Sequence, residues 1–443
     1  MNYQEALDWI HSLYRFGANL GLERVTRLME LLGNPQQRFR SVHIAGTNGK
    51  GSTAAFLAAM LQAEGLKVGL YTSPYIEAFT NRMAINGVDI DKDHLVAIVK
   101  KVKAAVEEMR NSNVGQPTEF EVVTALAFTY FAMAKPDWVV VEVGMGGRLD
   151  ATNVITPDVA VITNISLEHT QVLGSTVAAI AGEKAGIIKP KIPVVTAAAD
   201  EEALAVIRQV AAVKGSPLYQ VDKDFTYRLQ SVSLEGTVFS YKSPWRELAD
   251  VRASLLGRHQ ARNAALALAA RELMPLPFRE RAAREGLLRT RWPGRLELSS
   301  RRPLVLVDGA HNPDGVLVLR TALQELLGGR RLHLVIGILA DKAVDEILGV
   351  LVPLATAGVI ITAPQNPRAA DPNLVAELAG RYAGEVPVEV IPDVDLAVKT
   401  AVSRTRPEEA LCVCGSLYTV SEARETLKIL YPQANHGCDD GSD

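Results

Sequence analysis

Residues 42–56, V-H-I-A-G-T-N-G-K-G-S-T-A-A-F, carry the groups best suited to hold a phosphate. Glycines let a backbone approach an anion closely, Lys50 adds a point charge, and Ser52 or Thr53 offers a hydroxyl to a magnesium ion. The order is unusual. A strict phosphate loop reads G-x-x-x-x-G-K-[ST]. Here Gly49 and Lys50 supply the G-K, but neither Ile44 nor Ala45 is glycine, and Gly51 separates Lys50 from Ser52 and Thr53. Asn48, Gly49, Lys50, Gly51 and Ser52 are the candidate phosphate contacts. A plain glycine-containing turn is the competing reading.

Three further groups follow apolar runs. Ser73 ends "LYTS", Glu142 ends "WVVVE", and His169 lies just past "VITNIS". In open α/β sheets ligands bind beyond the carboxyl ends of the strands. A hydroxyl, a carboxylate and an imidazole delivered there could converge on one metal. Each also has a simpler explanation: Ser73-Pro74 starts a turn, Glu142 pairs with an arginine, His169 caps a helix. Thr118 and Glu121 have the spacing of a capping box. "GMGGRLDATN", residues 144–153, lacks the G-x-G-x-x-G spacing and no early helix follows, so a dinucleotide loop is rejected.

The elements that must position these groups are legible as alternation. "SVHIAG", "KVGLYTS", "DWVVVEVG", "VAVITNIS" and "IPVVTAA" suit buried parallel strands, and helical patterns such as "STAAFLAAMLQAEG" and "EFEVVTALAFTYFAMA" lie between them. The first of these helices should end at Gly65. Residues 1–40 read as two short helices. From about 216 to 256 the pattern turns to apolar–polar alternation, which predicts an antiparallel hairpin or small sheet, followed by the alanine-rich helix "HQARNAALALAARELM". "TRWPGRLELSSRRP", residues 290–303, reads as a linker. After it "PLVLVDGA", "LHLVIGIL", "GVIITAPQ", "VPVEVIPD" and "LCVCGS" predict a smaller α/β domain of five strands. The expected fold is α/β: a parallel-sheet mononucleotide-binding domain with a small antiparallel insertion over 1–294, a Rossmann-like α/β domain over 295–431, and a disordered tail over 432–443.

Bulk composition narrows the function. A chain of 443 residues exceeds one ordinary core. With a net charge of −3 there is no global basic field for nucleic acid or an acidic membrane surface. No apolar run reaches a membrane span and the N-terminus lacks signal-peptide design, so a cytoplasmic protein is expected. Of three cysteines, Cys412 and Cys414 share one face of a strand and read as buried thiols rather than a zinc site, and Cys438 falls in the tail.

Taken together, "HIAGTNGKGST", "TSPYIEAFTNRMAING", "PTEFEVVTALAF", "VEVGMGGRLDATNVI", "ITNISLEHTQVLGSTVAAIAGEKAGIIK", "GRHQARNAALAL", "WPGRLE", "DGAHNPDG" and "CGSLYTV" give a chain that resembles the Mur ligase superfamily, and within it the folylpolyglutamate synthases and dihydrofolate synthases. The Lys-Gly-Ser order is that family's own phosphate loop. Roughly 45 residues precede Gly46, too few for the extra N-terminal domain of the cell-wall Mur ligases, which favours the folate branch. One departure stands out: Tyr75 follows Ser-Pro where the family commonly has His.

The resemblance implies ATP-driven amide formation with Mg²⁺, through an acyl phosphate that the amine of L-glutamate then opens. It implies phosphate contacts from Lys50 and the loop, and a metal shell of Ser73, Glu142 and His169. ATP contacts would come from Asn263, Arg295 and Asp308, with closure of the second domain completing the site; His311 is nearby with no firm role. Lys184, in "GEKAGIIK", would be a carboxylated lysine that acts as an anionic metal ligand; without the family it would read as a helix lysine paired with Glu183 or exposed. The substrate, folate or dihydropteroate, would lie near Thr118, Glu119, Phe120 and Glu121 and near Leu149, Asp150 and Ala151. Arg82 could meet glutamyl carboxylates on charge alone. A monomer is expected. A Mur-type ligase for another carboxylate, a P-loop kinase and a non-catalytic nucleotide-binding regulator are the rival readings.

Overall fold

The computed structural model describes residues 1–16, 20–109 and 114–432; the expected disordered tail and Cys438 lie outside them, Pro432 excepted. The chain falls into two compact units. The first comprises Met1–Arg228, Phe239–Ala253 and Ala261–Thr290; the second comprises Leu229–Val238, Ser254–Gln260 and the chain from Arg291 onward.

In the first unit the strands are β1 Ser41–Ala45, β2 Val68–Tyr71, β3 Met83–Ile85, β4 Val88–Asp89, β5 Trp138–Glu142, β6 Val159–Ile162, β7 Val194–Thr196 and β8 Leu218–Gln220. They form one sheet in the order β4-β3-β2-β5-β1-β6-β7-β8. From β2 to β8 every pairing is parallel, while β3 and β4 add an antiparallel edge. β1, β5 and β6 are buried along their whole length, and mostly apolar, because both faces are covered. One face packs against helices Tyr3–His11, Glu23–Leu31, Lys92–Met109 and Glu119–Ala134, and another core cluster joins β6 and β7 to helices Val177–Ala185 and Glu201–Lys214. Helix Lys50–Ala63 is buried nearly all round, which its alanine-rich sequence permits.

Strands β9 Thr226–Ser233, β10 Gly236–Lys242 and β11 Glu247–Ala253 form a three-stranded sheet in the order β11-β10-β9. The sequence placed the change of character at about 216. The structure corrects this: β8 still belongs to the large sheet, parallel to β7. Three residues are too few to show a period, so the adjacent alternating segment absorbed them.

The second unit is built on β12 Glu297–Arg301, β13 Leu304–Asp308, β14 Leu332–Ile336, β15 Gly358–Ile361, β16 Val388–Val390 and β17 Ala410–Cys414, in the order β12-β13-β17-β14-β15-β16. Six strands stand where five were expected. The sixth, β12, comes from the supposed linker and pairs antiparallel with β13, with a register shift between Leu298 and Ser300. The arginines and prolines that flank it masked it; the strand itself holds only Arg301, a charge that an edge strand tolerates. Period two is clean in the middle of this sheet. Ala410, Cys412 and Cys414 join the core under helices Pro313–Leu326, Val344–Leu351 and Pro372–Gly380, while Leu411 and Val413 join the core under Val394–Arg404 and Leu417–Leu430. Both thiols are buried and free. Among the described residues no helix is long and apolar enough to cross a membrane.

Candidate active site

The topology sets the site. β1 lies between β5 and β6, and the three end level, with Ile44 opposite Glu142 and Ala45 opposite Ile162. The loop after β1 therefore emerges beside a carboxylate on one side and the "TNIS" segment on the other.

That loop is held in a fixed shape by its neighbours. Thr163 Oγ1 donates to the Asn48 carbonyl at 2.7 Å, and Asn164 Oδ1 accepts from Asn48 N at 2.7 Å. Thr47 N donates to Asn164 O at 2.9 Å, and Thr47 Oγ1 exchanges hydrogen bonds with the backbone of Ser166. Gly46 (φ +145°) could carry no side chain, because a Cβ would fall 1.8 Å from Thr163 Oγ1. Gly49 adopts φ +85° as the N-cap of helix Lys50–Ala63, and a Cβ there would lie 2.6 Å from Asn263 Oδ1. Asn263, assigned to ATP from sequence, thus sits against the loop. A helix leaves its first amides without partners inside the helix, and its N-terminus favours an anion. Here those amides belong to the Gly-Lys-Gly-Ser turn.

Two lysines converge on one carbonyl. Lys50 Nζ donates to Gly46 O and Thr47 O, each at 3.0 Å, and Lys184 Nζ donates to Gly46 O at 2.8 Å. Lys184 is 2% exposed, so it is not a surface lysine, and Glu183 pairs with Arg148 instead. Burial, reinforced by the Lys50 charge, pulls the Lys184 amine down to about 7 against the opposing pull of Glu168 and Asp150.

Of the metal-shell candidates, Ser73 and Glu142 meet: Ser73 N donates to Glu142 Oε2 at 3.2 Å, and Glu142 is buried. His169 takes a left-handed conformation (φ +51°) at the head of helix Thr170–Leu173, makes no side-chain cap, and lies 3.9 Å from Glu168. Among the described residues no group of three or more His, Cys, Asp or Glu side chains is arranged to hold a metal. Buried Glu142, with Ser73 beside it, does fit Mg²⁺, a hard cation that takes one or two carboxylates and completes its shell with water and phosphate oxygens.

The expected substrate segment is tied down by groups that sequence reasoning missed. Thr118 caps helix Glu119–Ala134 in a complete capping box with Glu121. Arg24 Nε and Nη2 reach the two Glu121 oxygens, each at 3.1 Å, in a largely buried pair, and His11 Nδ1 lies 3.1 Å from Glu119 Oε1. Phe120 stands 6.5 Å from the ring of Tyr71. Across the site Tyr75 packs on Phe79, and the Arg82 guanidinium lies 5.0 Å from the Tyr75 ring. Arg82 Nε is buried with no hydrogen-bond partner, and Arg82 makes no ion pair among the described residues. Leu149 is half-buried, while Asp150 and Ala151 are buried. The "TNIS" clamp had a usable signal, polar residues at the carboxyl end of an apolar strand. Arg24 had none.

In the second unit Asp308 ends β13, and its oxygens accept from Leu296 N and Ala310 N, each at 2.8 Å. Burial raises its pKa, and nearby Arg295 works against the rise. The "WPGRLE" loop is pinned by Gly309 N to Gly294 O at 2.8 Å and by an Arg424 fork on Glu297 at 2.7 and 3.0 Å. His311 Nδ1 lies 2.8 Å from Gly309 O.

A phosphate loop on a parallel sheet, with a carboxylate at the next strand end, defines a mononucleotide-binding α/β protein. Residues 44–271 match the Mur ligase middle domain, and residues 294–417 match the glutamate ligase domain of Mur ligases. The dihydrofolate synthase/folylpolyglutamate synthase of Bacillus subtilis is 40% identical over 434 residues, covering 96% of this chain and 99% of the relative. The crystal structure of folylpolyglutamate synthase from Thermotoga maritima superposes with a TM-score of 0.87 at 36% identity, covering 98% of this chain and 99% of that one. A Mycobacterium tuberculosis folylpolyglutamate synthase complexed with ADP gives 0.88 at 34% identity, covering 96% and 99%. The chain belongs to the folylpolyglutamate synthase and dihydrofolate synthase family of Mur ligases.

Proposed function

We propose that this chain is an ATP-dependent ligase that joins L-glutamate to the carboxylate of a folate-type substrate. The observation that carries the reading is the convergence of Lys50 and Lys184 on the Gly46 carbonyl of a phosphate loop that its neighbours hold rigid. The ADP in the mycobacterial relative fits such a loop.

A carboxylate is a poor acylating agent. In the proposed reaction a carboxylate oxygen attacks the γ-phosphorus of ATP, and the bond to the β-phosphate oxygen breaks, releasing ADP. The glutamate nitrogen then attacks the acyl carbon, inorganic phosphate leaves, and the amine loses a proton. The protein contributes mainly position and charge neutralisation. Lys50 and the loop amides hold the β- and γ-phosphates, with Asn48, Gly49, Gly51 and Ser52 shaping the cradle and Asn263, Arg295 and Asp308 meeting the nucleotide. Ser73, Glu142 and His169 would hold Mg²⁺, and the ion would supply positive charge to the phosphate oxygens. Thr118 to Glu121 and Leu149 to Ala151 border the pterin-bearing substrate, and Arg82, without an internal acid, takes a substrate carboxylate.

Lys184, as a carbamate, would add an anionic oxygen for the ion. Two ammonium groups on one carbonyl repel each other, and the partly neutral Lys184 amine is competent to attack CO₂. A C–N bond forms and one amine proton leaves to solvent; the product keeps one N–H for Gly46 O and turns the repulsion with Lys50 into attraction. The scarcity of cysteine fits a reducing compartment, so the enzyme is assigned to the cytoplasm, acting as a monomer.

The test is phosphate release from ATP with dihydropteroate and with tetrahydrofolate in parallel, each with and without glutamate. Release that depends on glutamate and on either folate is expected. A stable phosphorylated product formed without glutamate would instead establish a kinase, and no turnover with either folate would point to another carboxylate.

A further inference from the structure

Beneath the loop 144–153 lies a chain of three buried side chains, of which the reaction scheme uses only Asp150, at the substrate border. His43, in the middle of β1, is fully buried, Thr152 is fully buried, and Asp150 is 4% exposed. His43 Nε2 lies 2.9 Å from Thr152 Oγ1, which in turn lies 2.5 Å from Asp150 Oδ1. Met145 N donates to Asp150 Oδ2 at 2.9 Å and Thr152 N donates to Oδ1 at 3.0 Å, so both carboxylate oxygens act as acceptors.

Proton counting gives the chain a direction. Thr152 owns one hydroxyl proton, and an acceptor-only carboxylate claims it. His43 Nε2 must then be the donor to Thr152 Oγ1. That assignment leaves Nδ1 as a lone-pair acceptor, and Nδ1 is buried with no hydrogen-bond partner. The other tautomer would bury an unpaired N–H and set Thr152 lone pairs against the carboxylate, which is the costlier arrangement. Burial, with the nearby charge of Lys189, keeps the imidazole neutral.

We infer that His43 is a positioning residue: it donates through Thr152 to Asp150 and so fixes the loop 144–153 relative to the strand that carries the phosphate loop. The consequence reaches two parts of the site. Gly46 lies three residues after His43 on the same strand exit. The loop itself clamps the end of the Lys184 helix: Arg148 N donates to Glu183 O at 2.7 Å, and Asn153 Nδ2 donates to Arg148 O and Gly186 O at 2.9 and 3.1 Å. A donor chain that slackened would free Leu149 to Ala151 and the Lys184 helix end together. The identity of the substrate affected rests on the function proposed above.

Two measurements test this. In ¹⁵N NMR of the folded protein, the His43 resonances, assigned by their loss in His43→Gln, should show a protonated Nε2 and a bare Nδ1; a proton on Nδ1 overturns the inference whatever the enzyme catalyses. In steady-state kinetics, His43→Leu and Thr152→Val should lower kcat/KM for the folate substrate by about tenfold to a hundredfold. His43→Gln, which keeps a donor at similar reach, and Thr152→Ser should stay within about threefold of the wild type. Equal losses in the donor-keeping and donor-less variants, or no loss in His43→Leu, would refute the positioning role. A wild type inactive on both folates would instead count against the proposed function, and the NMR result would still decide the direction of the chain.

Discussion

Two positive side chains bonded to one carbonyl are tolerable only if one of them is neutral or changes sign. Lys50 opens helix Lys50–Ala63, where the proposed reaction would put the phosphates, so the role of cation falls to it, and Lys184 is the group that yields. Lys50→Ala should therefore lower glutamate ligation by about a hundredfold or more, since a lost charge contact to the transferring phosphoryl group is not replaced by water. Ligation at the normal rate in a phosphate-release assay would dismiss the scheme. Lys184→Ala should be similarly inactive, but short carboxylates such as acetate should restore part of the rate by filling the space of the carbamate. The modification has its own readout. At fixed dissolved ¹³CO₂, incorporation at Lys184 should rise with pH through about 7, because only the unprotonated amine reacts. An unlabelled Lys184 at pH 8 would end the carbamate proposal.

At the scale of the element, the phosphate loop depends on glycine for space as well as for conformation, and a matched pair of substitutions separates the two. Gly49 and Gly65 bracket helix Lys50–Ala63 and share φ +85°, yet a Cβ at Gly49 meets Asn263 Oδ1 at 2.6 Å while one at Gly65 meets nothing within 4 Å. Gly65→Ala should cost about 1 kcal/mol of stability and leave ADP affinity unchanged. Gly49→Ala should also weaken ADP binding by about tenfold in calorimetry, and equal affinities in the two variants would show that the loop is held less tightly than its hydrogen bonds imply. The same contrast explains what was legible in the sequence. A-L-C-V-C declared its two faces because alternation is local, and the Gly-Lys-Gly-Ser turn announced itself because its chemistry is contiguous. Strands of three residues, or a short polar strand set among arginines and prolines such as Glu297–Arg301, carry too little pattern. The ion pair of Arg24 with Glu121 joins positions 97 residues apart, and only the topology of the sheet and its helices brings them together. Thr118 and Glu121 were readable as a cap, and the structure adds the cation that locks it.

Over the whole molecule, burial of titratable groups makes stability depend on pH in a direction that can be worked out. His43, in the first unit, is held down to about 3 and His259, in the second, to about 4, chiefly by burial, so both stay neutral in the fold. Unfolded histidine titrates near 6.5. Between about 6.5 and about 4 the unfolded chain thus binds protons that the fold refuses, and stability falls as pH falls, by about 1.4 kcal/mol per pH unit for each histidine once both lie well inside the window. Asp150 and Asp308 oppose this, because burial raises their pKa values and lets the fold take up protons earlier than the unfolded chain. The carboxylates are common to wild type and variant, so a difference measurement isolates the histidines. His43→Gln and His259→Gln, each compared with wild type by denaturant unfolding at pH 5 and 7, should lose less stability on acidification, by about 2 kcal/mol each. The two sites lie in different compact units, so their effects should appear in the unfolding of their own unit. A wild type and a His43→Gln variant with the same dependence on pH would mean that the imidazole charges inside the fold, and the buried donor chain on Asp150 would lose its neutral first member.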